Sequence, residues 1–175
     1  MQHYTSLVAL AQIELYTGDT EIAWKHIEGQ LKPLERSLLL RTQGLKVDAL
    51  HLRARLALAS ASGAVREQRL RIAEDCADRI AREAMAWSNP LANMTYASLA
   101  KQHGDTSRAA AFTRRALDGF KAVDMALYAA AARRRLGELL LGDEGRELVA
   151  DSESWMTKQQ IKNPAAVTNL MAPGF

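Results

Sequence analysis

Residues 101–120 read KQHGDTSRAAAFTRRALDGF, and this stretch decides the fold class. Gly104-Asp105 separates two segments of helical period. Glycine suits the left-handed position just past a helix end, and aspartate or threonine caps the helix that follows. After the break, Ala109, Phe112, Ala116, Phe120 and Val123 recur at steps of three and four, one face of a helix. Gly104-Asp105 therefore reads as the tight turn of a helix hairpin.

The same punctuation recurs along the chain. Gly18-Asp19 and Gly142-Asp143 repeat it, and Ser62-Gly63 is a related break. Gly18, Gly63, Gly104 and Gly142 are separated by 45, 41 and 38 residues. A step of roughly 40 residues matches arrays of helical hairpins. Between the breaks, Leu70, Ala73, Ala77, Ile80, Ala84 and Trp87 form one clean stripe. From Val47 onward apolar residues fall on two faces, which predicts a helix sandwiched between neighbours. Asn89-Pro90 and Asn163-Pro164 each place a capping residue before a proline, a helix start.

The predicted helices fall near 4–17, 20–31, 35–60, 64–87, 90–103, 106–122, 125–141 and 144–159. They pair as hairpins near 4–31, 35–87, 90–122 and 125–159. A short helix near 164–171 lies in a capping segment, 160–175, expected as a lid over the last open face. Pro33 blurs residues 32–45 and could open a short separate helix ending at Gly44. The first hairpin starts at once on Val8, Ala11 and Leu15 with no polar cap before it, as an array cut from a longer one would.

Composition agrees with an all-α chain of one domain. The 175 residues are 48% apolar and 25% charged, with few glycines, prolines and aromatics. A single cysteine excludes an internal disulfide and a cysteine-based zinc site, and points to a reducing, cytoplasmic compartment. No apolar run approaches membrane-spanning length, and the first residues lack a basic leader. A net charge of +3 is mildly basic, short of the excess of a dedicated nucleic-acid binder.

Gly18-Asp19 with Ala23, Gly104-Asp105 with Ala109 and Ala116, and Leu136-Gly137 in the fourth hairpin resemble tetratricopeptide-like repeats. The steps exceed that family's 34 residues, Glu14 and Ala100 stand where it carries large aromatics, and the second hairpin lacks Gly-Asp. The resemblance implies a right-handed, long-helix array with a concave groove lined by the first helix of each hairpin. Aligned to the family pattern, Gln12, Tyr16, Leu91, Met94, Ser98, Lys101, Gln102 and Arg134 are the expected groove. Such a groove suits an extended peptide or a partner helix. Residues 38–61 and 155–175 are in turn similar to the C-terminal tails of large bacterial signalling proteins, in which a serine/threonine kinase or STAND-type ATPase precedes helical repeats. That similarity implies that any catalysis lies outside this chain.

No residue constellation points to chemistry. His3, His26, His51 and His103 include no pair three or four apart, so no helix face offers two metal ligands. Cys76 sits on an apolar stripe and reads as a buried, inert thiol. Phosphate-binding glycine loops are absent. Asp143, Glu144 and Glu147 fall in a first helical turn, where they offset the helix dipole. The arginines carry the sharpest alternative. Arg108, Arg114, Arg115, Arg133 and Arg135 could form a face for an anionic partner, although their plain reading is a solvated surface. Arg134, if it turns inward, requires a carboxylate such as Glu138.

The expected function is a non-catalytic protein–protein interaction module without cofactor or metal, serving as the regulatory tail of a signalling protein. Self-association through the first hairpin is the second reading. Nucleic-acid binding through the arginines is the third, and no membrane contact is expected.

Overall fold

A computed structural model describes residues 2–36 and 41–175, with side chains described for 4–30 and 41–175. All regular structure among these residues is helical. Nine α-helices follow one another: α1 Gln2–Thr17, α2 Thr20–Arg36, α3 Gln43–Ala59, α4 Arg66–Arg82, α5 Ser88–Gln102, α6 Thr106–Ala122, α7 Ala126–Leu140, α8 Gly142–Lys158 and α9 Pro164–Met171. A 3-10 turn, Gly63–Val65, precedes α4.

The glycine breaks behave as their chemistry requires. Gly18, Gly63, Gly104 and Gly142 all have positive φ. At the turn between α5 and α6, the Asp105 amide donates to Ala100 O and the Gly104 amide to Lys101 O, which closes the spent helix. The Asp105 carboxylate then accepts from the Arg108 amide and opens α6. Asn163 caps α9 in the same way, accepting from the Ala166 amide.

Three boundaries differ from expectation. The second helix continues past Pro33 to Arg36, so no separate helix opens at that proline. The third begins at Gln43, so Gly44 lies inside it, and the part of the predicted helix at 37–40 lies outside the described residues. The fourth stops at Arg82, well before Trp87. Ala84 adopts φ 52 there, and the Ser88 hydroxyl donates to Met85 O as α5 begins. The apolar stripe ran on through Ala84 and Trp87, but only Trp87 packs on the core while Ala84 is exposed, and periodicity alone does not register the backbone break between them.

Each helix packs on the next, and α3 also touches α1, α2 and α5. Its predicted burial on two faces follows from that position, with Val47, Leu50, Leu52 and Leu56 all enclosed. One apolar cluster spans α3 to α7 around Phe120, Ile80 and Leu136. Another joins α1 and α2 to α3 and α4 around Leu15, Trp24 and Leu56. Arg69 of α4 fastens this junction: its guanidinium lies 3.8 Å from the centre of the Trp24 ring and donates to Ser60 Oγ at 2.8 Å. Between α7 and α8 the backbones meet at Gly137 and Gly145. A Cβ on Gly137 would lie 2.5 Å from the Gly145 carbonyl oxygen, so only glycine permits this approach.

The last helix departs most from expectation. It is not simply a lid on the final pair, because α9 packs on α1 and α7 more than on α8. Trp155, Ile161 and Met171 do cover Met156 near α8. The segment as a whole, however, crosses the molecule along the odd-numbered helices.

Candidate functional site

Residues 164–175 pack on α1 and α7 and are tied by side chains of α3, α5 and α7, and the surface that they cover is termed the cleft. Three helices each aim one side chain at the main chain of this segment. Arg55 of α3 donates from Nη1 to Leu170 O at 2.9 Å. Arg135 of α7 donates from Nε to Ala172 O at 2.9 Å. Gln102 of α5 donates from Nε2 to Gly174 O at 3.0 Å. The acceptors are every second carbonyl, at 170, 172 and 174, so what the cleft grips is backbone.

Each donor is positioned. Asp48, His51 and Arg55 stand three and four apart on α3 and share one face. Gln102 is held by Arg66 of α4, whose Nη2 donates to both the main-chain and side-chain oxygens of Gln102. Arg135 is only 7% exposed and spends its remaining donors on Glu138 Oε2 and Asn169 Oδ1. The Phe175 ring lies 5.1 Å from its guanidinium carbon. At the floor, Gly174 has φ +90, and a Cβ there would sit 3.4 Å from the Cβ atoms of both Leu58 and Ser98. The segment leaves part of the cleft open. A cavity of about 340 Å³ remains between Pro173–Phe175, Arg135, Ala59 and the α1–α2 turn at Tyr16–Gly18.

Beneath the segment is a polar cluster in which Arg55 and His51 are buried, Tyr4 is half-buried and Asp48 is exposed. Arg55 is 5% exposed and forms no ion pair within 4 Å among the described residues, and its Nε has no hydrogen-bond partner there. Burial pushes its guanidinium pKa down, opposed by Tyr128 and Asp48. Burial pushes the Asp48 carboxyl up, and Arg55 pulls it back. The Tyr4 hydroxyl is pushed up to about 12 by burial and then by Asp48. His51, whose ring meets that of Tyr128 at 5.7 Å, is driven well below its ordinary value by burial and then by Arg55.

The neutral state of His51 has a pH consequence. The unfolded side chain titrates near 6.5 and the folded one lower, so between those values the unfolded chain binds more protons. Stability present above pH 6.5 is therefore lost as pH falls through the folded value, at no more than about 1.4 kcal/mol per pH unit. Asp48 works in the opposite sense and in a more acid range, since its folded pKa is raised above 3.8. Urea midpoints should fall between pH 7 and 5.5 in the native chain and stay flatter in His51→Gln. An equal fall in both would remove His51 as the cause.

The expected groove residues scatter. Tyr16 lines the open cavity, and Gln102 is one of the three donors. Lys101 is half-buried and Gln12 is exposed. Leu91 and Met94 do not line a groove, because both are enclosed in the main apolar cluster. Ser98 is also buried, its hydroxyl donating to Met94 O, and it meets the cleft only as a floor beneath Gly174. Arg134 turns away from the cleft and bridges to α8, pairing with Glu138 and Glu153. Its neighbour Arg135 holds the cleft position.

The expected anionic face does not assemble either. Arg135 is buried, and its charge is met by Glu138. Arg108 and Arg115 flank the Phe112 ring on α6 at 5.5 and 5.6 Å, and Arg114 lies 3.9 Å from Glu144. Arg133 borders a separate cavity beside Trp155. Consecutive residues on α7 turn by about 100°, so Arg133, Arg134 and Arg135 take three directions. Arg55 escaped the sequence reading altogether. Its signal was a polar stripe, Asp48-His51-Arg55, on a helix otherwise apolar on two faces.

Other reactive groups lie elsewhere. Cys76 is fully enclosed, and burial pushes its thiol up to about 11, where it is a poor nucleophile. No group of three metal-ligating side chains occurs among the described residues, and no helix among them is long and apolar enough to cross a membrane. No protein-family model, curated protein or solved structure matches the chain.

Proposed function

We propose that this chain is a non-catalytic protein–protein interaction module, a divergent tetratricopeptide-like array whose concave side takes a peptide. One observation carries the reading: Arg55, Gln102 and Arg135, from three different helices, converge on the carbonyls of one peptide segment. Side chains that satisfy main-chain carbonyls hold a peptide in register without demanding a particular sequence, and pockets beside them add selectivity. The similarity to signalling-protein tails supplies the setting, a regulatory tail whose catalytic part lies in another segment. Nucleic-acid binding is disfavoured because the arginines point in several directions and most lie against carboxylates or rings.

The test is selection from a library of short helix-then-extended peptides on the immobilised full chain. Selected peptides should lose about ten-fold in affinity on Gln102→Ala, since the bond to a backbone carbonyl goes and that acceptor is left unmet, roughly 1–3 kcal/mol. Binding should be unmoved by Arg114→Ala on the outer surface. Peptides indifferent to Gln102 would refute the assignment to the cleft.

A second reading, self-association through the first two helices, has its own support. Leu10, Ile13, Tyr16 and Ile22 are 51%, 59%, 43% and 50% exposed, and all lie on α1 or α2. Apolar side chains clustered at one end of a molecule are the usual mark of a covered face. Sedimentation equilibrium decides it: a dimer dispersed by Ile13→Glu supports this reading, and a monomer at high concentration removes it.

A further inference from the structure

We infer that residues 164–175 are a built-in occupant of the cleft, and that the cleft accepts in their place a peptide of the same chemistry: a short helix, then small residues in extended form, then an aromatic ring. The inference rests on the interaction reading and names its ligand class and its control.

The segment sits in the cleft as a ligand would. Of its four hydrogen bonds from side chains of α3, α5 and α7 among the described residues, three go to its own main chain and the fourth to Asn169 Oδ1. A different sequence could accept the same bonds. The selective position is Gly174. Its positive φ favours glycine, and a Cβ there would already be in contact with Leu58 and Ser98, so a longer or branched side chain has little room. The second selective feature is the aromatic ring 5.1 Å from the Arg135 guanidinium carbon, supplied here by Phe175.

The segment is also weakly built as an element. An isolated helix of eight residues is not stable in water, so α9 depends on the cleft for its order. Only Thr168, Ala172 and Pro173 within 164–175 are fully enclosed, and Val167, Leu170 and Met171 are half-buried. The 340 Å³ cavity beside Pro173–Phe175 shows that the occupant does not fill its seat. Before it, the connection from α8 bends through Gln160 at φ 60. A partner peptide therefore competes with a tethered, imperfect occupant, and its apparent affinity falls by the fraction of molecules whose cleft is open.

The probe is a fluorescent synthetic peptide with the sequence of residues 162–175, titrated onto the full chain and onto the full-length variant Gly174→Val. Valine at that position is branched, disfavours positive φ and meets Leu58 and Ser98, so the tethered segment is ejected while the helices beneath it are untouched. The variant should lose hydrogen-exchange protection over residues 166–174 and bind the peptide about ten-fold or more tighter than the native chain. A peptide carrying the same valine should not bind. If Gly174→Val keeps its protection, Ala172→Lys, which sets a like charge beside Arg135, replaces it. Equal affinity for the native and opened chains overturns the inference. So does an opened chain that binds library peptides but not the tail peptide, and that result leaves the interaction reading intact. An opened chain that binds neither overturns both.

Discussion

Phe120→Ala should destabilise the protein by about 3–5 kcal/mol, measured as a lower urea midpoint at an unchanged slope. Phe120 is 0% exposed and stacks on Tyr128 at 5.2 Å between ring centres. The ring belongs to α6, yet it supports the cleft, because Tyr128 passes the contact on to His51 of α3. Collapse into the vacated space is blocked. The adjacent Gly119 already lets α5 and α6 approach so closely that a Cβ there would lie 2.9 Å from Pro90 Cβ. The cost of a cavity therefore adds to the lost transfer energy. Against a total of about 5–15 kcal/mol for a domain, this is a large part of the stability. Phe112→Ala, on the same helix but half-buried beside Tyr96, should cost under about 2 kcal/mol. Equal losses at the two positions would mean that α6 is packed with a different face inward.

The contrast between these two phenylalanines marks what the sequence discloses. Both lie on the stripe Ala109-Phe112-Ala116-Phe120, and period alone ranks them together. The helices themselves were legible because their ends carry residues with a single backbone use: Gly18 and Gly104 at positive φ, Asp105 and Asn163 as caps. The end of α4 was not legible, since Ala84 enters the left-handed region without being glycine. The cleft was legible only in part. Gln102 and Tyr16, expected from the alignment to the repeat pattern, lie beside the segment at 164–175. Leu91, Met94 and Ser98 were misplaced because α5 is enclosed by α3, α4 and α6, leaving little of it for a ligand. Nothing local distinguishes Arg134 from Arg135. One residue of helix phase swaps them, and the phase is fixed by contacts with α8 and the segment at 164–175, which are remote in sequence.

That arginine supplies the other large effect. Arg135→Ala should cost about 2–3 kcal/mol and increase amide exchange across residues 166–175 by roughly 30-fold or more, with α5 and α6 unchanged. One guanidinium serves four partners: Ala172 O, Glu138, Asn169 and the Phe175 ring. Its loss strands the Ala172 carbonyl in a residue 2% exposed, an unmet acceptor whose desolvation costs about 1–3 kcal/mol. Glu138 is 34% exposed at its side chain and retains Arg134, so water and that second arginine relieve most of the penalty there. The deficit therefore falls on the segment in the cleft. Arg135→Lys separates fork from charge. An ammonium restores the positive charge beside Glu138 but cannot reach three acceptors in one plane or lie flat against a ring. The lysine variant should thus recover less than half of the lost stability and leave residues 166–175 exchanging nearly as fast as in Arg135→Ala. Full recovery by lysine would show that charge alone holds the segment, and that the planar geometry of Arg135 contributes nothing to how the cleft grips a main chain.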